Sequence, residues 1–563
     1  MTQAVHDLLE QHFDTVFASP DGIAKLRELI LTLAMKGKLV EQNPNDPSAS
    51  ELLKAIEKEK QQFVKVGKIK KPKALPPIEQ ADAPYALPKG WIWTRLGNIG
   101  NIFNGNSINA IEKETKYAGA NGLPYIATKD VGYGLDELDY KNGIYIPESE
   151  EKFKIAHQGA VLICAEGGSA GKKCGIAEQD VCFGNKLFAN EPYGGISSKF
   201  ILYLYLSPLF REAFAGAMAG IIGGVSIAKF MELPIPIPPL REQHRIVTRI
   251  DQLMDRCDEM ERLKKSLDER RIAVNLTAIR KLLDDDFDAG RSFIEQNFFQ
   301  LYSVKENVAE LRNAILQLAV MGRLVPQDPN DPPASELLKE IEKENQRLIA
   351  EKKIKKQKPS LPIKPEEVPY LLPRGWAWVR VEDVFNTTSG TTFDAALEKE
   401  AGSYAYVKVG DMNLQGNELV IETSSRYVDP DEKMLRSLIS TGSVIFPKRG
   451  GAIATNKKRI IRNPVFVDLN IMAITPIFGV LTEYAYLWLS TLDLALLNTG
   501  TSVPQINHKD IDPLPFPIPP LAEQHRIVAR IDQLMALCDK LDSQIDAATN
   551  KQDVLLNAVM ARV

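Results

Sequence analysis

The architecture of this chain is decided by a stretch that occurs twice. It reads PIPIPPLREQHRIVTRIDQLM at residues 234–254 and PFPIPPLAEQHRIVARIDQLM at residues 515–535, and 18 of the 21 positions are identical at an offset of 281. A second repeated pair, residues 26–59 and 311–344, lies at an offset of 285. Self-similarity at a long, fixed period indicates that one structural unit has been duplicated. The sequence therefore predicts a pseudo-twofold internal repeat.

Two blocks of similar length and little identity separate the repeated segments, at residues 94–233 and 379–514. Short β-branched or apolar runs bounded by glycine are typical of strands, and a helical stretch follows them in each block. The runs are PYIATKDV (124–131), GAVLICAE (159–166), AYVKVGDM (405–412) and GSVIFPKR (442–449), and the helical stretches are 200–216 and 483–498. We expect each block to form a mixed α/β (α+β) domain of about 140 residues with its own core.

Each repeated Pro-Pro pair precedes a predicted long helix. Apolar residues recur there at steps of three and four as far as Leu267 in the first copy and Ile545 in the second. Such a stripe needs a partner, which is either the other long helix or a shorter neighbour. About 40 helical residues span roughly 60 Å, so each long helix is expected to act as a spacer. Two shorter helices are predicted to end at Gly37 and Gly322, because glycine suits the left-handed position after a helix.

These patterns divide the chain into five parts. The parts are an N-terminal helical region with a basic linker (1–75), a first α/β domain (76–233), a central helical region with a second basic linker (234–360), a second α/β domain (361–514) and a C-terminal helix (515–563). The 563 residues are too many for one ordinary domain, which agrees with this division.

Composition excludes several classes of protein and leaves a globular one. Hydrophobic residues make up 44% of the chain and charged residues 25%, which are average values. No apolar run is long enough for a membrane span, and the N-terminus lacks the pattern of a secretory signal. The five cysteines form no CxxC pair, so neither structural zinc nor a disulfide framework is predicted. A reducing, cytoplasmic location is expected.

Three motifs suggest catalysis or nucleotide binding, and each of them is incomplete. Residues 167–171 (GGSAG) match a GxSxG nucleophile turn, but the equivalent residues 450–454 have no serine. The same stretch approximates a phosphate-binding loop, except that Lys173 replaces the Ser or Thr that binds magnesium. NEPY at 190–193 lacks the first proline of the Asn-Pro-Pro-Tyr motif of amino-methyltransferases. We therefore expect a glycine turn and a surface turn here, and neither a catalytic residue nor a metal site in the chain.

Basic and amide side chains of the two blocks are candidate DNA contacts. Lys and Arg bind phosphate, and Asn and Gln bind base edges. The basic run from 448 to 462 has no acidic residue within it, although each block as a whole is slightly acidic. The candidates are Lys129, Lys172, Lys173, Asn185, Lys186, Lys408, Lys448, Arg449, Asn456, Lys457, Lys458, Arg459, Asn470, Gln505 and Asn507. The linkers add the basic residues Lys68, Lys70, Lys71, Lys73, Lys353, Lys355, Lys356 and Lys358.

The tetrapeptide EQHR occurs at the same place in both long helices. One interpretation is the first turn of a solvated helix, where an acid is favourable near the N-terminus. The other is a docking surface, because identical polar residues at two symmetric places suit two copies of one partner. The candidate docking residues are Glu242, Gln243, His244, Arg245, Glu523, Gln524, His525 and Arg526.

With these features, the chain resembles a specificity subunit of a type I restriction-modification enzyme. The resemblance rests on the signature PPLxEQxxIV, which is present in both copies about 280 residues apart. It also rests on the pattern GxVLxxxxGG at 159–168 and its counterpart GSVIFPKRGG at 442–451. It covers essentially the whole chain.

The resemblance implies a fold and a function. Two target-recognition domains would be held apart by long helices that form an antiparallel coiled coil, and the N-terminal segment would close the symmetry with the C-terminal helix. Each domain would recognise one half of a bipartite, asymmetric double-stranded DNA site. Two modification subunits, which carry S-adenosylmethionine and methylate adenine, would dock on the helices, and two restriction subunits that use ATP and magnesium can join. The chain itself would be non-catalytic and hold no cofactor.

Two alternatives remain beside this interpretation. One is a restriction-methylation enzyme with its own active site, which should show a cofactor glycine loop with Asn-Pro-Pro-Tyr. The other is a protein-binding scaffold, against which the basic run in the second block argues. In addition, Glu166 of the first block stands where the second has Arg449, so a phosphate contact shared at that position is not expected.

Overall fold

The fold comprises two compact units. The structure, a computed structural model, describes residues 17, 19, 21–67, 69, 73–79, 82–219, 223–284, 286–351, 360–497 and 503–562. Unit 1 contains residues 1–267 and 547–563, and unit 2 contains residues 268–546. Both boundaries fall inside long helices, Leu240–Leu283 and Leu521–Arg562. At 44 and 42 residues, these two helices confirm the predicted long helices after each Pro-Pro pair.

Shorter helices flank the sheets in both units. In unit 1 the α-helices are Gly22–Met35, Ala49–Lys65, Ala110–Glu112, Ser198–Leu206, Pro208–Ala217 and Ile227–Met231. In unit 2 they are Phe287–Gln296, Phe298–Leu301, Lys305–Val320, Ala334–Ala350, Val381–Val384, Thr482–Thr491 and His508–Ile511. Gly37 (φ 65°) and Gly322 (φ 69°) follow two of these helices in the left-handed conformation, which confirms both predicted helix ends.

The helices predicted at 200–216 and 483–498 are wrong in extent. The first is broken into two helices at Ser207, whose hydroxyl accepts the N–H of Phe210 at 3.3 Å, with Pro208 in the first turn of the second helix. Proline and a capping serine both favour a new helix start over continuation. The second helix ends at Thr491 and is followed by a short 3-10 turn, Leu494–Leu497.

The first block contains two four-stranded sheets. Its strands are β1 (Ile92–Arg95), β2 (Gly100–Asn104), β3 (Leu123–Ile126), β4 (Tyr145–Ile146), β5 (Ile155–Ala156), β6 (Val161–Cys164), β7 (Cys174–Ile176), β8 (Val181–Phe183), β9 (Leu187–Pro192) and β10 (Pro234–Ile237). The strand orders are β2-β9-β6-β7, all antiparallel, and β4-β3-β8-β5, in which β3 and β8 are parallel. Strands β1 and β10 pair separately at the edge of the domain.

The second block repeats this topology. Its strands are β11 (Ala377–Arg380), β12 (Phe385–Ser389), β13 (Tyr404–Val407), β14 (Tyr427–Val428), β15 (Val444–Pro447), β16 (Arg459–Ile460), β17 (Phe466–Val467), β18 (Ile471–Pro476) and β19 (Pro515–Ile518). The order β12-β18-β15-β16 matches β2-β9-β6-β7 strand by strand, and β14-β13-β17, with β13 and β17 parallel, matches β4-β3-β8. At the place of β5 the second block has an isolated bridge between Ile439 and Val465 instead of a strand. The four runs predicted as strands are therefore confirmed, as β3, β6, β13 and β15.

Alternate residues of the central strand β6 face two different cores, since successive side chains of a strand point to opposite faces. Val161 and Ile163 pack with helix Ser198–Leu206, whereas Leu162 and Cys164 pack with the second sheet. All four residues are buried. The same alternation divides the buried strand β15 between its two cores. Each block is thus layered as helices, first sheet and second sheet, which confirms the predicted mixed α/β domains.

Within each unit, a long helix packs against a shorter neighbour. In unit 1, Arg27 of helix Gly22–Met35 donates to Asp258 at 2.6 Å and to Glu261 at 2.8 Å on the long helix. The equivalent hydrogen bonds in unit 2 are donated by Arg312 to Asp539 at 2.8 Å and to Asp542 at 2.9 Å. The shorter neighbour is therefore one partner of each long helix, as one of the two alternatives predicted.

Candidate nucleic-acid interface

Three loops of the second domain converge at the end of β15. The N–H of Lys448 donates to the carbonyl of Asn470 at 2.7 Å, and the N–H of Ile506 donates to the carbonyl of Lys448 at 2.8 Å. The N–H of Gly450 donates to the carbonyl of Pro504 at 2.8 Å. These bonds hold the turn after β15, the turn before β18 and the loop before helix His508–Ile511 side by side. We call this place the loop junction of domain 2.

The first domain has the same loop junction at the end of β6. There the N–H of Ala165 donates to the carbonyl of Lys186 at 2.9 Å, and the N–H of Val225 donates to the carbonyl of Ala165 at 3.0 Å. The N–H of Gly167 donates to the carbonyl of Gly223 at 2.9 Å. Each bond has its counterpart in domain 2, so the two junctions share one backbone frame.

This frame pairs residues of the two domains one to one. Ala165 corresponds to Lys448, and Lys186 corresponds to Asn470. Glu166 and Arg449, the next residues, each form an isolated bridge to the third loop, to Gly224 and Gln505 respectively. The sequence pairing of Glu166 with Arg449 is thus also a structural one. The two junctions have one backbone arrangement and different side chains.

The domain 2 junction contains a chain of four side-chain hydrogen bonds. Lys448 Nζ donates to Ser389 Oγ at 2.8 Å, and Ser389 Oγ lies 3.1 Å from His508 Nε2. His508 Nδ1 lies 2.9 Å from Thr387 Oγ1, which donates to Asp512 Oδ1 at 2.7 Å. Because the Thr387 proton goes to Asp512, Thr387 accepts from His508 Nδ1. A neutral His508 then accepts from Ser389 at Nε2.

The charges at both ends of this chain are partly desolvated. Burial lowers the pKa of Lys448, and the nearby Arg449 acts in the same direction. Burial raises the pKa of Asp512, against the opposing effects of the Thr387 hydrogen bond and of His508. Ser389, Thr387 and His508 were not among the sequence candidates, because they lie far apart in the chain and no motif links them.

Five of the predicted DNA-contact residues meet at this junction. They are Lys448, Arg449, Asn470, Gln505 and Asn507. The amide of Gln505 donates to Asn507 Oδ1 at 2.8 Å, and the amide of Asn470 donates to Asp468 Oδ2 at 2.9 Å. These bonds fix the orientation of the amides. The junction therefore presents oriented hydrogen-bonding groups beside basic ones.

The second half of the basic run lies away from the junction and is largely structural. Lys458 is buried, with 4% of its surface exposed, and its Nζ donates to the carbonyl of Leu492 at 2.9 Å. Burial lowers the pKa of Lys458 to about 8. Arg459 donates to the carbonyls of Lys458 at 2.7 Å and of Met412 at 2.8 Å. Lys458 is therefore corrected from a surface contact to a buried support, because its ammonium group is turned into the domain.

Three further candidates of the second domain are anchored by neighbours. Asn456 has φ 53° in the left-handed region, and its side chain accepts from the N–H of Leu494 at 2.9 Å. Lys457 donates to Asn413 Oδ1. Lys408 donates to Glu398 at 2.7 Å, and its Nζ lies 5.2 Å from the centroid of the Tyr406 ring.

In the first domain, the candidates form a more open group. Lys172, Asn185 and Lys186 are exposed, as is Lys129, whose Nζ lies 3.9 Å from Asp130. Lys173 is half-buried, since its Nζ lies over the Tyr133 ring at 4.9 Å and donates to the carbonyl of Thr128 at 3.5 Å. Lys186 belongs to the domain 1 junction through its backbone. Among the linker lysines, Lys73 alone is described, and the other seven lie outside the described residues.

The Glu-Gln pair of each EQHR segment is buried and holds the repeated frame together. Glu242 is 1% exposed and accepts from Trp91 Nε1 at 3.0 Å and from Gln42 Nε2 at 3.2 Å. Glu523 is 1% exposed and accepts in the same way from Trp376 at 2.9 Å and from Gln327 at 3.1 Å. Burial raises the pKa of both carboxyls, although these donors favour the charged form.

The docking interpretation is consequently wrong for four residues. Glu242, Gln243, Glu523 and Gln524 have at most 1% of their surface exposed, so a partner cannot reach them on the folded chain. His244 and His525 are exposed. Arg245 and Arg526, which are half-buried, are paired with Asp46 at 2.8 Å and Asp331 at 2.6 Å. A docking role for these last four residues stays a prediction.

The incomplete motifs have structural roles. NEPY at 190–193 is not the surface turn that we expected: Asn190 lies in β9, is 1% exposed and donates to Tyr205 Oη at 2.8 Å. Gly167 (φ 82°) and Gly450 (φ 74°) open the two glycine turns in a backbone conformation that favours glycine. Among the described residues, no cluster of three His, Cys, Asp or Glu side chains has the geometry of a metal site. In the same part of the chain, every helix is too short or too polar to cross a bilayer.

Known proteins are similar in sequence to this chain over nearly its whole length. The family model described as type I restriction modification DNA specificity domain matches residues 88–269 and 373–550. The chain is 34% identical over 563 residues to the type I restriction enzyme EcoAI specificity subunit of Escherichia coli, covering 96% of this chain and 93% of that protein. It is 32% identical over 567 residues to the EcoEI specificity subunit of the same species, with the same coverage.

Among solved structures, the HsdS subunit from Thermoanaerobacter tengcongensis is similar with a TM-score of 0.43 at 17% identity, covering 85% of this chain and 98% of that one.

The chain belongs to the family of type I restriction-modification DNA specificity domains and carries two copies of that domain. This confirms the resemblance drawn from the repeated PPLxEQxxIV signature. It also confirms a recognition role without catalysis, since a specificity subunit is not the catalytic part of such an enzyme.

Proposed function

We propose that this chain is the DNA-recognition subunit of a type I restriction-modification complex. Each domain recognises one half of a bipartite, asymmetric double-stranded site. The two long helices set the number of unrecognised base pairs between the halves and dock two modification subunits. We also propose that the chain divides into the five parts given above, with boundaries after residues 75, 233, 360 and 514.

The observation that carries the proposal is the pair of loop junctions. Their backbone hydrogen bonds are the same in both domains, whereas Ala165, Glu166 and Lys186 of one domain are replaced by Lys448, Arg449 and Asn470 of the other. A constant frame with different hydrogen-bonding side chains suits two readers of the same polymer with different sequence preferences, because base edges are distinguished by donor and acceptor pattern.

The remaining candidates fit phosphate contact. Lys129, Lys172 and Lys457 stand at or near the surface of their domains, and lysine binds phosphate without regard to sequence. The chain has a net charge of −4, so phosphate contacts of its own supply only part of the affinity. We propose that the modification subunits supply the rest.

Catalysis and its cofactors belong to the partners in this proposal. S-adenosylmethionine would be held by two modification subunits that methylate adenine, and ATP and magnesium by two restriction subunits that can join them. His244 and His525, at equivalent exposed places on the long helices, are the proposed docking positions for the modification subunits. The complex would act in the cytoplasm.

Sequencing of methylated bases in a host that expresses the chain with its modification subunits tests the function. We expect methylated adenines within one bipartite, asymmetric motif, and none in a host that lacks this chain. Methylation at a contiguous motif, or the same motif without the chain, would contradict the proposal.

Binding of labelled DNA by the chain alone tests the shared-contact part of the proposal. Because much of the phosphate contact is assigned to the partners, the isolated chain should bind its site weakly and gain sequence-specific binding when the modification subunit is added. Tight, specific binding by the chain alone would refute this division.

A further inference from the structure

One exposed position carries opposite charges in the two domains. Glu166 and Arg449 each follow the first residue after the central strand, and each forms an isolated bridge to the third loop of its junction. Their neighbours Ala165 and Lys448 make the same backbone hydrogen bonds. The two side chains therefore project from equivalent positions of the same backbone arrangement.

Neither of these two side chains has a polar partner in the described part of the chain. Both are exposed, and neither forms a hydrogen bond or an ion pair with another described residue. Beside them, a Cβ placed on Gly167 or on Gly450 would meet no described atom within 4 Å, so no described residue fills the space next to either glycine. A partner backbone or base can approach such a turn closely.

The opposite charges limit what this position can bind. A phosphate repels a carboxylate, so Glu166 cannot make the phosphate contact that would suit Arg449. Base edges, in contrast, present acceptors on guanine and a donor on cytosine in the major groove. Arginine binds guanine O6 and N7 in a bidentate manner, and glutamate accepts from cytosine N4. A single frame can therefore serve both residues if the position faces a base edge.

We infer that this position is a base-recognition position, with Glu166 selecting cytosine in one half-site and Arg449 selecting guanine in the other. The inference rests on the proposed DNA-recognition function and assigns one contact within it. Lys448, Gln505 and Asn507 of the same junction lie beside Arg449 and supply further hydrogen-bonding groups. At the other junction the exposed Lys186, which stands where domain 2 has Asn470, is the basic neighbour of Glu166.

A second pair of equivalent residues also has opposite charges but lies away from the junctions. This pair serves as a matched control for the effect of charge alone. The N–H of Ala177 donates to Ala160 at 2.8 Å, and the N–H of Ile461 donates to Ser443 at 2.8 Å, so the following residues, Glu178 and Arg462, are also equivalent. Both are exposed. They lie at the opposite end of the strand pairs β6–β7 and β15–β16, away from the junctions.

The test is the methylated motif of the complete complex with one substitution at a time. Glu166→Arg should change one specified base of one half-site from cytosine to guanine and leave the other half-site as it is. Arg449→Glu should make the reverse change in the other half-site. A bidentate contact predicts a preference for the new base of roughly 5- to 150-fold.

Two conservative variants keep the test decisive if a charge reversal prevents the chain from folding. Glu166→Gln and Arg449→Gln keep the size and polarity of the side chain, and each should weaken the preference at its one base while methylation at the remaining positions continues. The controls Glu178→Arg and Arg462→Glu, with the same charge changes at the other strand ends, should leave the motif unchanged.

The outcomes separate this inference from the function on which it rests. If the unchanged complex methylates a bipartite motif and all four junction variants retain every specified base, the inference is overturned and the function stands. A uniform loss of methylation over all sequences in Glu166→Gln or Arg449→Gln also overturns it, since the loss of a base contact would weaken the preference at one base only. If the unchanged complex shows no bipartite motif, the proposed function itself fails.

Discussion

At the residue scale, a buried carboxylate sits at the centre of each repeated frame. Glu242 accepts from Trp91 and Gln42, and its pKa is raised because burial outweighs these donors. We expect Trp91→Phe to lower the free energy of unfolding by about 1–3 kcal/mol at pH 7, since a buried acceptor then loses its donor. Thermal denaturation of the full chain measures this loss.

The loss of stability in Trp91→Phe should also depend on pH. The Trp91 donor favours the charged carboxylate, so its removal costs most where Glu242 is ionised and less where it is protonated. The loss should therefore shrink as the pH falls from 7 towards 5. Trp93→Phe is the matched control, because Trp93 donates at 3.2 Å to the backbone carbonyl of Tyr85 and to no carboxylate. An equal pH dependence in both variants would contradict the assignment.

Lys458 gives a second pH-dependent prediction. Burial lowers its pKa to about 8 in the folded chain, well below the ordinary lysine value of 10.5. Between pH 8 and 10.5 the unfolded chain holds more protons at this residue, so stability from this residue rises with pH. Relative to a Lys458→Met variant, the wild type should gain about 1–3 kcal/mol of unfolding free energy as the pH is raised from 7 to 10.

The neighbouring lysine is the control for this experiment. Lys457 donates to the side chain of Asn413 and is not fully buried. Lys457→Met should shift stability by a similar amount at every pH from 7 to 10. If the two variants follow the same curve, the buried environment of Lys458 is not the cause of its behaviour.

Single residues were also where sequence reasoning was weakest. It grouped Lys457, Lys458 and Arg459 as one basic surface, because a run of like residues shows charge and not the direction of each side chain. It treated Glu242 as a surface residue, because the donors to its carboxylate, Trp91 and Gln42, lie far away in the chain. Burial of a polar residue depends on such distant partners.

At the scale of elements, the ends of the repeated helices are fixed by glycine. Gly37 has φ 65°, and an added Cβ there would lie 2.5 Å from Pro88 Cγ. Gly37→Ala thus combines backbone strain with a steric clash, and we expect it to destabilise the chain by about 2 kcal/mol or more. Chemical denaturation measures the change.

Gly67 is a matched control for that substitution. It follows helix Ala49–Lys65 with φ 73°, but no described atom lies within 4 Å of an added Cβ. Gly67→Ala should therefore cost only the backbone strain, about 1 kcal/mol. Equal losses at Gly37 and Gly67 would show that the contact with Pro88 contributes nothing.

Elements with strong local patterns were predictable, and their pairing was not. The strands β3, β6, β13 and β15 and the long helices follow from apolar periodicity and glycine boundaries. The order β2-β9-β6-β7 joins strands that are distant in the chain, so no local pattern reveals it. The loop junctions were hidden because equivalent residues lie at offsets of 283, 284 and 281, so no single offset aligns them.

At the scale of the whole molecule, the repeat was the most informative feature of the sequence. It gave the two domains, the helices after them and the family, since 18 identical positions in 21 survive in both copies. It did not give the recognised bases, because those depend on side chains that differ between the two junctions. The common frame also means that one domain should be replaceable by the other.

The edge strands supply matched junctions for such a replacement. Strands β1 and β10 pair as Thr94 with Ile235, and β11 and β19 pair in the same register as Val379 with Phe516. A chain in which residues 379–514 replace residues 94–233 therefore carries the second domain twice in an unchanged frame.

Sequencing of methylated bases in a host that expresses this duplicated-domain chain with its modification subunits is the most direct test of the central claim. If each domain recognises its own half-site, the motif should become symmetric, with the second half-site present in two inverted copies. Retention of the original asymmetric motif would show that the first domain does not determine its half, and would contradict the account.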